Sequence, residues 1–173
     1  MKAARILEEP VGGRWDYGLA YVTYSNIGDA AHVAANLRAA DRAELAAVSR
    51  ITPLRIIEDG ILESSRVHTV WIKESGNPCA IFGVRDSGHP GLGVVWLLGT
   101  DDLFKYAHKF LRNSRPWVDV LHNEFKVLFN VIDERQDVYI KWLRWVGFDF
   151  VRNFENYGVE GKDFRLFLRH HAT

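Results

Sequence analysis

Cysteine is nearly absent from the sequence, since Cys79 is the single one among 173 residues. A lone cysteine forms no disulfide within the chain and supports no cysteine-based zinc site. Because disulfides characterise secreted proteins, this composition predicts an intracellular, reducing environment.

An excess of charge of either sign is also missing. Lysine and arginine together number 22, as do aspartate and glutamate, and the sequence pI is about 7.1. No whole-molecule field favours nucleic acid or anionic lipid, so we expect neither as a partner. The sequence also lacks an apolar run of about 18 residues and a charged-then-apolar leader, so neither a membrane span nor a cleaved signal peptide is expected.

The chain length predicts one domain with a substantial core. Residues 1–17 contain Pro10, Gly12 and Gly13 within an uneven charge pattern, which indicates an N-terminal extension outside the main fold. Residues 18–173 are expected to form the single domain.

Two periodicities alternate along the domain, the twofold repeat of strands and the wider spacing of helices. Strands are predicted at 19–26, 66–74, 79–86, 94–99, 126–133, 148–156 and 163–170. Helices are predicted as two segments within 28–49 that break near Ala40 and Asp41, then at 53–64, 101–112, 115–125 and 137–146. Pro53 and Pro116 fit first helical turns, and Gly147 fits a C-terminal cap. Helices interleaved with a mixed sheet predict an α/β or α+β domain.

That order, together with "NVIDERQDVYIKWLRWVGFDF", resembles the GNAT N-acetyltransferase fold over roughly residues 19–169. The blocks "LRAADRAEL", "AIFGV", "WLLGTDDL", "FLRNSR", "IKWLRWVGF" and "FRLF" are similar to GNAT-like proteins called internal virion protein A of short-tailed phages. The resemblance implies a mixed, mostly antiparallel central sheet flanked by helices. It also implies a cleft that could hold acetyl-CoA.

GNAT enzymes bind the cofactor's diphosphate through a loop resembling Arg/Gln-x-x-Gly-x-Gly/Ala, with backbone N–H groups at a helix N-terminus. At that position the chain reads "GTDDLFKYAH", and no glycine follows Gly99 until Gly147, so the expected phosphate-binding loop is missing. We expect Thr100 or Asp101 to cap the helix and Asp102 to interact favourably with its dipole. Each close carboxylate would repel a diphosphate by about 2–4 kcal/mol at an effective dielectric near 20, which Lys105 or Lys109 would not offset. If acetyl-CoA nevertheless binds, the resemblance places it at Leu98, Gly99, Thr100 and Gln136.

The second wall of the expected cleft also departs from the family pattern. Aligned on Gly147 and Phe148, the tyrosine that often acts as general acid falls at Leu143, and the family asparagine falls at Gln136. Because leucine donates no proton, the sequence predicts loss of leaving-group protonation along with loss of diphosphate recognition.

Other candidate residues have simpler structural interpretations. Glu44 and Glu63 are possible general bases facing the cleft, although surface solvation explains both. The histidines lack metal-ligand spacing, so no metal is expected. The tryptophans of the central strand and last helix, Trp96, Trp142 and Trp145, fit core packing, with partner binding as the alternative. Ordinary ion pairs account for the arginines that could grip an anion, which are Arg112, Arg115, Arg135, Arg144 and Arg152.

These observations predict a catalytically inactive phage protein of the GNAT fold, which acts through protein–protein contacts as a virion-associated or assembly component. Its partners would be other virion proteins or further copies of itself, in the host cytoplasm during infection, in the virion, or in both. No cofactor is expected. The alternative is an acetyl-CoA-dependent N-acetyltransferase of a host protein or small amine, and a third possibility is another small ligand in the vestigial cleft.

Overall fold

The computed structural model describes residues 7–171, in which eight strands form one sheet in the order β1-β2-β3-β4-β5-β6-β8-β7. The strands are β1 (Arg14–Tyr17), β2 (Ala20–Tyr24), β3 (Ser64–Ile72), β4 (Pro78–Asp86), β5 (Leu92–Gly99), β6 (Val127–Asp133), β7 (Asp149–Tyr157) and β8 (Lys162–His170). All neighbouring strands are antiparallel except β5 and β6, which are parallel. The sheet is therefore mixed and mostly antiparallel, as predicted.

Helices cover both faces of the sheet. They are α1 (Ala30–Ala35), α2 (Ala39–Val48), α3 (Pro53–Glu63), α4 (Asp102–Tyr106), α5 (His108–Arg112), α6 (Arg115–Leu121) and α7 (Asp137–Trp145), with a short 3₁₀ turn at Ile27–Asp29. Helices α1 and α3 pack with Ile81 and Leu98 of the sheet. Helices α4 to α7 pack on the opposite face, with Phe82 and Val95. Within residues 7–171, no helix is long and apolar enough to cross a membrane.

Strand β1 lies within the segment predicted to be an extension outside the fold. The structure instead places Arg14–Tyr17 in the sheet, paired with β2. Two aromatic side chains hold it there. The ring of Trp15 lies 4.9 Å from that of Trp117 in an edge-to-face arrangement, and Trp117 Nε1 donates a 2.7 Å hydrogen bond to the Tyr17 hydroxyl.

The alanine-rich segment divides earlier than predicted. Helix α1 ends at Ala35 and α2 begins at Ala39, so the break lies at residues 36–38 and not near Ala40 and Asp41. The reason is a contact with the sheet. Leu37 forms an isolated bridge with Thr100, and this ties the chain to the carboxyl end of β5.

The helices after β5 are shorter than predicted. Segment 101–112 is divided into α4 and α5 at Ala107, and α6 ends at Leu121 because a turn follows it, in which the N–H of Phe125 donates to the carbonyl of His122. Helix α7 ends as predicted. Gly147 has φ of +99°, and the N–H of Phe148 returns to the carbonyl of Leu143 at 3.0 Å, which closes the last turn with a glycine C-cap.

Candidate functional site

A gap opens in the sheet between the parallel strands β5 and β6. The two strands are in register only over Leu92–Val94 and Val127–Phe129. Each then continues, to Gly99 in β5 and to Asp133 in β6. Because the pairing is confined to the amino-terminal ends of two parallel strands, the gap lies between their carboxyl ends. Open α/β sheets usually bind ligands at that end of their strands.

Inside the gap, one side chain satisfies backbone groups of both strands. Asn130 Nδ2 donates a 2.6 Å hydrogen bond to the carbonyl of Val95, and Asn130 Oδ1 accepts the N–H of Val131 at 2.7 Å. The amide uses its donor on β5 and its acceptor on β6. The Asn130 side chain thus replaces the direct hydrogen bond that a regular parallel pairing would form between the Val95 carbonyl and the Val131 N–H.

Asp41 closes the wide end of the gap. Its carboxylate is fully buried and accepts the backbone N–H of Gly99 at 3.0 Å, Gln136 Nε2 at 2.9 Å and the Tyr139 hydroxyl at 3.2 Å. Arg38 completes the set with an ion pair of 3.1 Å. One side chain of α2 therefore joins the end of β5 to the first turn of α7.

Helix α2 also reaches the other half of the sheet. The carbonyl of Ala47, in its last turn, accepts the N–H of Glu160 from the turn between β7 and β8 at 3.2 Å. The helix consequently lies across the open end of the gap, with its first turn at β5 and its last turn beyond β6. Its position there blocks a direct approach along the strands.

The electrostatics of this mouth are set by burial. Burial raises the pKa of the Asp41 carboxyl, while hydrogen bonds from Gln136 and Gly99 and the charge of Arg38 oppose the rise. The Arg38 guanidinium lies over the rings of Phe104 and Tyr139, 4.8 and 4.4 Å from their centroids. Cation–π contacts and the ion pair together hold this arginine in a fixed place.

The predicted helix caps at this position are wrong. Helix α4 begins at Asp102 with Asp101 as its N-cap residue, and the Asp101 side chain makes no capping hydrogen bond. Thr100 Oγ1 is buried without a partner in the described part of the chain. The carboxylate that takes a backbone N–H here is that of Asp41, about 60 positions earlier in the chain.

Both candidate bases lie at the gap, in different surroundings. Glu44, half-buried on α2, accepts the backbone N–H of Asp133 at 2.8 Å. Burial, with the nearby Asp41 and Asp133 carboxylates, raises the pKa of Glu44 to about 8. Glu63 lies at the rim in an exposed ion pair of 3.0 Å with Arg85. The raised pKa of Glu44 suits a general base near neutral pH.

Behind the closed mouth, the gap contains a cavity of about 510 Å³. Consecutive residues of both strands line it, Val94–Leu98 of β5 and residues 130–132 of β6. Because successive strand residues point to opposite faces, the cavity crosses the sheet. Its walls are mainly aliphatic and aromatic, and its volume is within the usual range for small-molecule sites.

No family model and no curated protein matches the sequence. Solved structures do match the fold. An acetyltransferase of the GNAT family from Streptococcus pneumoniae has a TM-score of 0.62 at 12% identity, over 88% of this chain and 99% of that one. The fold is that of the GNAT acetyltransferases.

Two further structures have the same GNAT fold. A putative acetyltransferase from Salmonella typhimurium, solved with its cofactor acetyl-CoA, has a TM-score of 0.64 at 16% identity, covering 90% of this chain and 96% of that one. A ribosomal-protein-S5-alanine acetyltransferase from Vibrio fischeri has a TM-score of 0.59 at 14% identity, covering 91% and 96%. The predicted fold is confirmed, whereas these identities carry no statement about chemistry.

The residues predicted to contact acetyl-CoA in a GNAT fold lie around the gap but are already engaged. Leu98 packs with α1 and α3 and lines the cavity. The N–H of Thr100 donates to the carbonyl of Cys79 at 2.8 Å. Gly99 and Gln136 are both bonded to Asp41, so they belong to the network that closes the mouth.

Helix α7 presents a tyrosine that the alignment on Gly147 does not identify. Leu143, at the family tyrosine position, is buried and lines the cavity, as does Tyr139 one turn earlier. The spacing of four residues was the available signal, because it places both side chains on one helix face. Burial raises the pKa of Tyr139 well above its usual value, and its proton already bonds Asp41.

The remaining candidate residues occupy structural positions. Trp96 and Trp142 bond Ser64 and Ser114, and Trp145 is 42% exposed. Four of the candidate arginines contact different groups and do not form one anion site. Arg115 donates to the Trp145 carbonyl, Arg135 pairs with Asp133, and Arg144 and Arg152 lie over the rings of Phe150 and Phe154. Within residues 7–171, no three His, Cys, Asp or Glu side chains are grouped as metal ligands.

Proposed function

We propose that this chain is a GNAT-fold protein that has lost acetyl transfer and acts through protein–protein contacts, as a virion-associated or assembly component of a phage. The observation that carries the loss of acetyl transfer is the Asp41 carboxylate on the Gly99 N–H. The support for the phage assignment is the resemblance of several sequence blocks to internal virion protein A. The host cytoplasm during infection, the virion, or both would be its location.

The Asp41 network argues against diphosphate binding at the end of β5. A diphosphate there would compete with a buried carboxylate for the Gly99 N–H and meet Asp102 in the first turn of α4. Displacing Asp41 would leave Arg38 without its partner, and breaking a buried ion pair costs about 3–5 kcal/mol. We therefore expect the diphosphate of acetyl-CoA not to bind at this end of the gap.

Calorimetry with acetyl-CoA tests the loss of cofactor binding. We expect no measurable heat at millimolar acetyl-CoA, and the same result with coenzyme A. An established GNAT acetyltransferase titrated in the same buffer is the positive control. Micromolar binding by the unaltered chain would overturn the proposal.

Partners are proposed to be other virion proteins or further copies of this chain. The supporting observation is a set of exposed apolar side chains, including Leu62 at 71%, Val151 at 53% and Trp145 at 42%. Exposed large apolar groups occur at association surfaces, although single ones are common on any protein. We expect association in sedimentation velocity or co-purification with virions or procapsids, and a monomer that never accompanies particles would contradict this role.

A second candidate function, acetyl transfer to an amine of a host protein or small molecule, is favoured by the cavity beside Glu44 and by the raised pKa of Glu44. In this reaction the amine nitrogen attacks the thioester carbonyl, the C–S bond breaks to release the coenzyme A thiolate, and the amine proton passes to the Glu44 carboxylate. Because the pKa of Glu44 is raised to about 8, the rate should increase as pH rises through that value.

Thiol release from acetyl-CoA with a panel of amines tests this second function. Turnover that follows the ionisation of Glu44 and disappears in Glu44→Gln would establish it. Glu63→Gln is the control, since Glu63 lies at the rim and pairs with Arg85. Absence of turnover for the unaltered chain at pH 6 to 9 would exclude it for those amines.

A further inference from the structure

Two polar side chains inside the cavity between β5 and β6 are already hydrogen-bonded within the chain. Asn130 is engaged on Val95 and Val131, and Ser114 Oγ donates to the carbonyl of Leu111 while it accepts Trp142 Nε1. The other walls are mainly aliphatic and aromatic, and a mainly apolar cavity favours an apolar occupant.

The charges around the cavity disfavour an anion. Arg85 is the single cationic residue in its lining, and it is paired with Glu63. Asp59 at the rim is paired with Arg55 in an ion pair of 2.9 Å. Glu44 is the remaining carboxyl group of the lining, and its raised pKa of about 8 keeps it mainly neutral at pH 7. A carboxylate or phosphate inside would lose its hydration and find no free cation, which disfavours anionic lipids.

The backbone N–H and carbonyl of one residue, Leu97, face the cavity without a partner in β6. The carbonyl of Val95 and the N–H of Gly99 both point into the gap. Because backbone direction alternates along a strand, the N–H and carbonyl of Leu97, midway between them, point the same way. The β6 ladder ends at Val94, so Leu97 has no strand partner across the gap. It offers one donor and one acceptor.

The cavity extends from one face of the sheet to the other. It reaches from Val48 and Ile51, on the α2 and α3 side of the sheet, to Val118 and Leu121 of α6 on the other side. A compact ligand would fill only part of such a passage. A single extended chain would contact it along its length.

From these features we infer that the cavity binds an uncharged ligand with one long apolar chain and one hydrogen-bonding head group, of the long-chain alcohol class, with the head group at the Leu97 backbone. This binding does not depend on the role proposed above. It requires no acetyl-CoA, no catalysis and no partner protein.

A chain-length series of primary alcohols tests the inference. Hexanol, octanol and decanol are titrated into the full chain, and binding is followed by calorimetry and by tryptophan fluorescence, since Trp96, Trp117 and Trp142 line the cavity. Burial of one methylene is worth about 0.8 kcal/mol, so affinity should increase roughly fourfold per added carbon. Decanoate should bind at least tenfold more weakly than decanol.

Variants at the rim connect the binding to this cavity. Val48→Trp places a large ring at the opening, where Val48 is 37% exposed, and should weaken decanol binding at least tenfold. Val138→Trp is the matched control, because Val138 is also a half-exposed helical valine but does not line the cavity. Ile51→Trp, at an exposed loop position of the same rim, replaces the first variant if that one fails to fold.

Three outcomes would overturn the inference. They are equal affinity for all chain lengths, equal loss of binding in the Val48 and Val138 variants, and tighter binding of decanoate or decylamine than of decanol. A result of this kind would leave the acetyl-CoA titration unaffected, so the two proposals fail separately.

Discussion

Glu44 is a carboxyl group whose surroundings favour its neutral form. Its pKa in the folded chain is raised from 4.5 to about 8, chiefly by burial. The folded state therefore binds more protons than the unfolded state between these values. By linkage, the stability that Glu44 contributes is complete below pH 4.5 and is lost as pH rises through about 8.

Replacing Glu44 by glutamine should remove this dependence, because the amide is neutral and can still accept the Asp133 N–H. We expect Glu44→Gln to be more stable than the unaltered chain at pH 9, by roughly 2–4 kcal/mol at about 1.4 kcal/mol per pKa unit with allowance for solvent access. Urea unfolding from pH 5 to 9 measures it. Asp41, whose pKa burial also raises, contributes a slope of the same sign. Glu63→Gln leaves Glu44 in place and serves as the control variant.

His68 has the opposite dependence. It is buried among Trp15, Tyr24, Phe82 and Trp117, and burial lowers its pKa from 6.5 to about 4, with the charge of Arg66 adding to the effect. The unfolded state binds more protons between these values. Stability is therefore lost as pH falls from about 6.5 to 4.

A phenylalanine at this position should suit the aromatic cluster. His68 Nδ1 has no hydrogen-bond partner in the described residues, and leaving a buried polar group unpaired costs about 1–3 kcal/mol. We expect His68→Phe to be more stable at pH 7 by roughly 1 kcal/mol and to lose part of the acid slope. Urea unfolding at pH 4.5 and 7 measures both effects. His89→Phe, at an exposed loop position, should change neither, and a destabilised His68 variant with the slope intact would contradict this account.

At the scale of elements, the position of α2 depends on a close approach to the turn between β7 and β8. Gly158 has φ of +70°, and a Cβ there would lie 2.2 Å from the carbonyl oxygen of Ala47. Gly161, in the same turn, has φ of +59°, but its nearest neighbouring atom would be 3.6 Å away. A substitution at either glycine would strain the backbone, because both have a positive φ. Only a substitution at Gly158 would also clash with α2.

Alanine at these two positions separates strain from contact. Gly161→Ala should destabilise by about 1 kcal/mol through the positive φ alone. Gly158→Ala should cost roughly 1–3 kcal/mol more, because α2 must move away. Thermal and urea unfolding of both variants measure the difference. Equal destabilisation would mean that α2 is not held by this turn.

The sequence predicts elements well where local chemistry determines them. Alternation predicts the hairpin of β3 and β4, Pro53 the start of α3, and Gly147 the end of α7. The sequence does not predict elements whose position is determined by contacts between residues far apart in the chain. Strand β1 depends on Trp117, about 100 residues away, and the break after α1 depends on a bridge to Thr100.

The candidate site was predictable in location but not in mechanism. The glycine-poor turn after β5 predicts that a diphosphate lacks its usual loop there, and this stays a prediction. The side chain that accepts the Gly99 N–H is Asp41, which the alanine-rich pattern of α2 presents as an ordinary helical residue. Four partners, at the end of β5 and at the N-terminal ends of α7 and α2, converge on it, and no local pattern in a sequence records such a convergence.

At the scale of the whole molecule, the gap leaves some amides of β5 with a hydrogen-bond partner in the sheet and their neighbours without one. Leu98 is in register with Ile81 and directs its N–H toward β4, whereas Leu97 directs its N–H into the gap. We expect amide hydrogen exchange of Leu97 to be at least tenfold faster than that of Leu98, because exchange reports local hydrogen bonding and opening. NMR exchange measures both. Equal protection of the two amides would show that the gap closes in solution.

The short overlap of β5 and β6 also determines how the molecule would respond to force. Strands β1–β5 form one plate and β6–β8 another, and the ladder between the plates covers only Leu92–Val94 and Val127–Phe129. The remaining contacts between the plates are side-chain hydrogen bonds, helix α2 and the shared hydrophobic core under α4 to α7. A tensile load applied across the strands would therefore separate the sheet between β5 and β6 first. The force required would depend on the few backbone hydrogen bonds of that pairing, on the shared core and on the contacts of α2 with both plates.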